Sequence, residues 1–218
     1  MQGRLAMLFI NYTALCQSAL CLALLLIPYD VWWHRLGYAA CALYLLPPLV
    51  ALPIRKFFAV GEGRFAPDSR EFLVWWTLFN LQVIFCRLPL LEEVLRIVPG
   101  LYSAWLRLWG ARIGRLTYWA PGTVILDRSF VHIGDDVAFG AGVRLNPHVM
   151  AVNDSGEKEL ILASVTIGNG AVVGGYSLLT AGTEIADGEN VRAYLISPPF
   201  SRWEKGKRTK DASPGDCH

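Results

Sequence analysis

Residues 164–185 read SVTIGNGAVVGGYSLLTAGTEI. An aliphatic residue stands at every sixth position, at Ile167, Val173, Leu179 and Ile185 and then at Val191, and a small residue follows four places after each of the first three, at Ala171, Ser177 and Thr183. A helix repeats at about 3.6 residues and a strand at about 2, so neither alone produces this beat. A parallel β-helix does. One strand and one corner use a hexad, three hexads close a triangular coil, and coils stack through backbone hydrogen bonds. The aliphatic side chain points to the prism axis and the small residue fits the inner corner. Upstream the beat recurs as Ile113, Trp119 and Ile125, with Thr117, Thr123 and Ser129 four places on, and as Ile133, Phe139 and Leu145, with Val137, Val143 and Val149. Gly114, Gly134, Gly140, Gly168 and Gly174 directly follow inward residues, where a missing Cβ lets the chain turn sharply. An ordinary sheet of short strands would show period-two alternation instead. The expectation is a solenoid over residues 111–197.

The chain has 218 residues, of which 54% are hydrophobic and only 17% charged, more apolar than a soluble domain of this size. The excess lies at the front. Residues 5–27 are apolar apart from Asn11, Gln17 and a few small polar residues, which is long enough to cross a hydrocarbon core of about 30 Å. A second apolar run covers residues 36–54, with Pro47 and Pro48 expected to kink it. Two runs this close predict a retained transmembrane helical hairpin within residues 1–57 rather than a cleaved signal. Arg4 precedes it and Arg55, Lys56, Arg64 and Arg70 follow it, so both ends are expected on the cytoplasmic side, with Tyr29, Trp32 and Trp33 at headgroup depth on the other. A net charge of +2 is too slight to point to nucleic acid. The five cysteines form neither a CxxC motif nor a lipidation box and are expected to be reduced.

Residues 58–110 read as a linker and interfacial helices. FLVWWTLFNLQVIFC, residues 72–86, is short for a span and contains Asn80 and Gln82, so an interfacial or re-entrant helix is expected, with a third complete crossing as the alternative. Leu91, Val94, Leu95 and Val98, then Leu101, Trp105, Leu108 and Trp109, recur at helical spacing, as expected for helices that lie on a bilayer or cap the first coil. Residues 198–218 form a polar, basic tail with little to bury, expected to be disordered.

The beat slips by two residues between Ile125 and Ile133 and breaks outright between Leu145 and Ile167. Part of the second interval must therefore leave the prism as a loop, and loops on rigid scaffolds are where sites tend to lie. His148 stands at its entry, with Asn146 two residues earlier.

GDDVAFGAGVRLNPH, a GEK-containing loop and SVTIGNGAVVGG together resemble the left-handed β-helix hexapeptide acyltransferases, especially the galactoside and maltose acetyltransferase branch, over residues 112–196. The resemblance implies a homotrimer that binds acyl-coenzyme A, such as acetyl-CoA, between neighbouring prisms and uses a loop histidine as base. His148 best matches that histidine. Asp127 matches an acidic position in the acceptor region, and Gly174 and Gly175 match positions along the pantetheine arm. The anchor is expected in a bacterial inner membrane, with the catalytic domain on its cytoplasmic face. Asn146 is a further candidate for holding the acceptor.

The chemistry has its own logic. Moving an acyl group from a thioester to an alcohol requires removing a proton from a weakly acidic hydroxyl, and imidazole, with a pKa of about 6.5, suits that task. No GxSxG elbow occurs and no cysteine lies between Cys86 and Cys217, so direct transfer is expected rather than an acyl-enzyme. The sequence departs from the branch at Gly122, where an asparagine for the sugar stands in that branch, and after Val191, where VRAYLISPPF replaces its closing coil. Arg202, Lys205 and Lys207, with Arg192, are then candidates for the coenzyme's phosphates, and Trp203 or Tyr176 for its adenine, on charge and ring chemistry. His132 is expected to face outward on a strand. A zinc hydrase on the same prism would need three histidines, and only His132 and His148 lie in the hexad region. The competing class is a non-catalytic, membrane-anchored trimeric scaffold.

Overall fold

The structure is a computed structural model that describes residues 2–28 and 31–210. Tyr29 and Cys217, named above, lie outside the described residues, as do residues 211–218 of the tail. Seven helices come first: α1 (Gln2–Ile10), α2 (Thr13–Leu26), α3 (Trp32–Tyr44), α4 (Leu46–Phe57), α5 (Arg70–Arg87), α6 (Leu90–Arg96) and α7 (Leu101–Leu108), with a short strand β1 (Gly63–Phe65) between α4 and α5.

By length and composition, two helical runs, Leu5–Leu26 and Trp32–Phe57, are able to cross a membrane. Leu8, Phe9, Leu15, Leu22 and Leu26 on the first and Leu36, Leu49 and Leu52 on the second are exposed. The buried amide of Gln17 donates to the Leu43 carbonyl at 3.1 Å and joins the two runs. The expected kink falls one step early. The chain breaks at Leu45, and Pro47 and Pro48 occupy the first turn of α4, where missing N–H groups leave no helical bond unmade. The hydroxyl of Ser69 caps α5 by accepting from the Phe72 N–H at 3.1 Å. Helices α5 and α6 meet at 81°. Asn80 and Gln82 donate their amide N–H groups to the carbonyls of Trp76 and Leu78 in their own helix.

The solenoid has three parallel sheets. Face one stacks β2 (Arg112–Ile113), β5 (Val131–Ile133), β10 (Val165–Ile167), β13 (Glu184–Ile185) and β16 (Ser201–Glu204). Face two stacks β3 (Tyr118–Trp119), β6 (Ala138–Phe139), β11 (Val172–Val173) and β14 (Asn190–Val191). Face three stacks β4 (Val124–Ile125), β7 (Arg144–Asn146), β12 (Leu178–Thr180) and β15 (Ile196–Ser197). The registers place Ile113, Ile133, Ile167, Ile185 and Trp203 in one inward column, Trp119, Phe139, Val173 and Val191 in a second, and Ile125, Leu145, Leu179 and Ser197 in a third. These are the hexad residues of the sequence, extended by Ser197 and Trp203.

That extension corrects the expected boundary at residue 197. The beat runs on at six-residue intervals from Val191 to Ser197 and Trp203, but a serine and a tryptophan hide it. The Ser197 hydroxyl accepts from Trp203 Nε1 at 2.9 Å and from the Thr183 hydroxyl at 3.0 Å, which satisfies its polarity inside the prism. The disorder expected for the tail is also overturned as far as residue 210. Strand β16 turns at Lys205 and Gly206, both with positive φ, into an antiparallel partner β17 (Lys207–Lys210).

The two irregularities of the beat have different forms. The two-residue slip is a 3₁₀ turn, Arg128–Phe130. The outright break is an extruded hairpin, β8 (His148–Val152) paired antiparallel with β9 (Lys158–Leu162), and β1 adds to its other edge. Leu160 and Leu162 on this hairpin pack against Phe72 and Trp75 of α5.

Candidate active site

Helix α5 carries Trp75, Phe79, Gln82 and Cys86 at spacings of four, three and four, which set them along one stripe. The stripe faces the 3₁₀ turn and the root of the extruded hairpin. Trp75 and Phe79 meet the His148 ring edge-on, with centroids 4.9 and 5.3 Å away. Gln82 accepts through Oε1 from the Arg128 backbone N–H at 3.1 Å and from Arg128 Nη1 at 2.8 Å.

Asp127, the residue before the turn, is the link between these groups. Its Oδ2 is hydrogen-bonded to His148 Nδ1, and its Oδ1 accepts from Trp75 Nε1 at 2.9 Å. The Asp127 side chain is 2% exposed and that of His148 16%. A carboxylate accepts here, so Nδ1 carries a proton, and the neutral form of such a ring presents a lone pair at Nε2. No group among the described residues is hydrogen-bonded to Nε2. The imidazole lies outside the prism, between the hairpin root and α5.

Behind Asp127 the chain is held by a buried ionic cluster. Arg128 is paired with Glu92 through Nη2 and, at 3.0 Å, through Nε. The other Glu92 oxygen accepts from the Tyr102 hydroxyl at 2.6 Å and from Arg96 at 3.1 Å. The guanidinium of Arg128 also lies 5.4 and 5.3 Å from the ring centroids of Phe85 and Trp105. Burial alone would lower the Arg128 pKa, but Glu92 outweighs it and holds the group above the usual arginine value. Burial and the Glu92 charge push the Tyr102 phenol well above its ordinary value. Four elements, α5, α6, α7 and the turn, thus converge on the residue next to Asp127.

The other expected site residues are placed as follows. Asn146 ends β7, and its side-chain Oδ1 is buried with no hydrogen-bond partner among the described residues. Gly174 and Gly175 lie at the corner after β11. A Cβ on Gly174 would stand 2.2 Å from the backbone nitrogen of Ala193, so coil stacking by itself demands glycine there. Arg202 is engaged by Glu184 at 3.3 Å and Glu204 at 3.4 Å, which leaves its charge less available to a phosphate than expected. Lys205 and Lys207 are exposed on the terminal hairpin. Trp203 does not present its ring for an adenine, because it closes the inward column beside Ser197. Tyr176 is exposed and stacks on Tyr194 with centroids 5.3 Å apart. His132 faces outward between the buried Val131 and Ile133, as expected. Among the described residues no cluster of three His, Cys, Asp or Glu side chains is placed to hold a metal ion.

Trp75, Phe79, Gln82, Glu92 and Arg128 were not singled out from sequence. The available signals were a glutamine at helical spacing from a tryptophan in an apolar segment, and the position of Asp127 and Arg128 inside the two-residue slip.

No protein-family model matches the chain. No curated protein sequence matches it either. Solved structures that it resembles are hexapeptide-repeat acetyltransferases. One, from Vibrio cholerae in complex with acetyl-CoA, is 17% identical, with 63% of this chain and 86% of that one covered and a TM-score of 0.39. A maltose O-acetyltransferase from Clostridium difficile is 13% identical, with 71% and 95% covered and a TM-score of 0.39. A galactoside acetyltransferase in complex with coenzyme A is 13% identical, with 56% and 79% covered and a TM-score of 0.29.

Proposed function

We propose that this protein is a membrane-anchored acyltransferase that moves an acyl group, most simply acetyl, from acyl-CoA to a hydroxyl of a membrane-associated or glycan- or lipid-linked acceptor. The observation that carries the reading is the imidazole of His148, tied at Nδ1 to the buried Asp127 carboxylate and, among the described residues, unpaired at Nε2. Nε2 takes the proton from the acceptor hydroxyl as its oxygen attacks the thioester carbonyl carbon. Asp127 stabilises the imidazolium that forms. When the carbon–sulfur bond breaks, the same proton passes to the departing sulfur, so the enzyme returns unchanged.

Asp127 changes its expected role. Both carboxylate oxygens are occupied by Trp75 and His148, so it orients the base rather than holding the acceptor. Asn146 stays the acceptor candidate by its place at the end of β7, two residues before His148. Gly174 and Gly175 offer a corner without side chains for the pantetheine arm, and Lys205 and Lys207 remain available for its phosphates. Left-handed coils, a homotrimer with the coenzyme between prisms, and an inner-membrane anchor with the prism on the cytoplasmic face complete the reading. Apolar helices of spanning length support the anchor. Confining enzyme and acceptor to one plane supplies part of the orientation that catalysis requires.

The test is coenzyme A release from acetyl-CoA by the full chain in detergent, with candidate hydroxyl acceptors. Loss of turnover in His148→Ala is expected, and undiminished turnover rejects the base. Calorimetry with acetyl-CoA separates this reading from the scaffold, for which no binding is expected.

A further inference from the structure

Face one of the prism has an outward column formed by Arg112, His132, Thr166, Glu184 and Arg202. At its far end Arg202 is neutralised by Glu184. At its near end Arg112 and His132 open instead into a cavity of about 330 Å³, walled on the other side by Arg55 and closed by Ser129 and Ser164. That volume lies in the range of small-ligand sites, about 300–1,000 Å³.

The charge in this cavity is not internally satisfied. Neither Arg55 nor Arg112 has a carboxylate within ion-pair distance among the described residues. Arg55 spends one N–H on the Trp109 carbonyl at 2.6 Å, which fixes its guanidinium over Gly110, where a Cβ would collide with it at 1.7 Å. The hydroxyls of Ser129 and Ser164 have no hydrogen-bond partner among the described residues. Glu62 at the rim is the one acid in the lining, against two guanidiniums.

We propose that this cavity is an anion site that takes a phosphate ester, with Arg55, Arg112 and the two serine hydroxyls as its donors. Guanidinium forks match phosphate oxygens in pairs, and hydroxyls complete the remaining acceptor positions. Arg55 belongs to the last turn of α4, at the end of the apolar run Trp32–Phe57, so a phosphate bound there stands where that run leaves the hydrocarbon. A lipid headgroup and a free phosphate ester share this chemistry. Only the choice of a lipid source rests on the membrane reading, and the site itself requires neither the anchor nor acyl transfer. The 3₁₀ turn that begins after Asp127 also brings Ser129 to the cavity, so an occupant would touch the turn that starts at the residue holding His148.

The experiment is isothermal titration calorimetry of the full chain in dodecyl maltoside with dihexanoyl phosphatidic acid and, separately, with inorganic phosphate. Binding of at least one probe is expected, weakened at least tenfold by Arg112→Glu and less by Arg112→Gln. Arg115→Glu, an exposed arginine outside the cavity, should bind like the parent, as should His148→Ala, which separates this site from the catalytic reading. Melting temperatures of the variants confirm that each is folded. Tighter binding of the lipid assigns a headgroup, and equal or tighter binding of inorganic phosphate assigns a free phosphate ester. No binding of either probe, or unchanged binding in both folded Arg112 variants, overturns the site.

Discussion

The carboxylate of Asp127 joins two rings that are far apart in sequence: its Oδ2 is bonded to His148 Nδ1 and its Oδ1 accepts from Trp75 Nε1 at 2.9 Å. A buried acid with both oxygens committed holds its partner ring in a single orientation and tautomer. Asp127→Asn should therefore lower kcat by about 10²–10⁴-fold, the range for loss of general-base function, with KM for acetyl-CoA nearly unchanged. Steady-state kinetics with both substrates varied checks the split.

Trp75→Phe keeps the aromatic contact with His148 but removes one donor from the buried carboxylate. The loss should cost about 1–3 kcal/mol of stability. Thermal unfolding measures it.

Removing one partner of the Arg128–Glu92 pair leaves a buried charge alone. Glu92→Gln and Arg128→Met should each destabilise the fold by about 3–5 kcal/mol, and the double variant by less than their sum. Unfolding in detergent followed by tryptophan fluorescence measures the coupling.

The terminal column predicts a cost at a residue first read as part of a loose tail. Trp203→Ala removes a partly buried ring from the end of the prism and a donor from Ser197, and should cost about 2 kcal/mol, below the cost for a fully buried tryptophan. An unchanged melting temperature would place residues 198–210 outside the fold.

Burial, and next the charge of Arg112, lower the His132 pKa, with Glu62 acting the other way. Arg55 lines the same cavity, and Thr166 is the next residue of the outward column. A ring with a lowered folded pKa favours the native state above its unfolded value of about 6.5 and loses that contribution as pH falls through the folded value. In a proton NMR titration His132 should titrate below an ordinary histidine, and Arg112→Ala should bring it back up.

The prism was legible because coil stacking forces an aliphatic residue and a small corner residue into fixed offsets, and Ile167, Val173 and Leu179 obey without exception. The last coil was not, because Ser197 and Trp203 satisfy the same geometry through a hydrogen bond that a hydrophobic pattern does not register. His148 could be found because the broken beat marks where the chain leaves the axis. Its neighbours could not. Trp75 and Asp127 are separated by 52 residues, and the contact depends on how α5 lies across a corner, which no local period encodes. Nothing in the sequence marks Arg128, which is almost fully buried, because its partners come from helices with periods of their own.

Helix α5 belongs to two structures at once, flanked by α1, α2 and α4 on one side and by the hairpin root and the 3₁₀ turn on the other. An excised fragment beginning at residue 111 would forfeit the indole that steadies Asp127 and would strand the Arg128 cation without its anion. The helices before residue 111 and the prism are thus one packed unit, so removing α5 and α6 should undo the arrangement around His148 as well as unsettle the coil they cover.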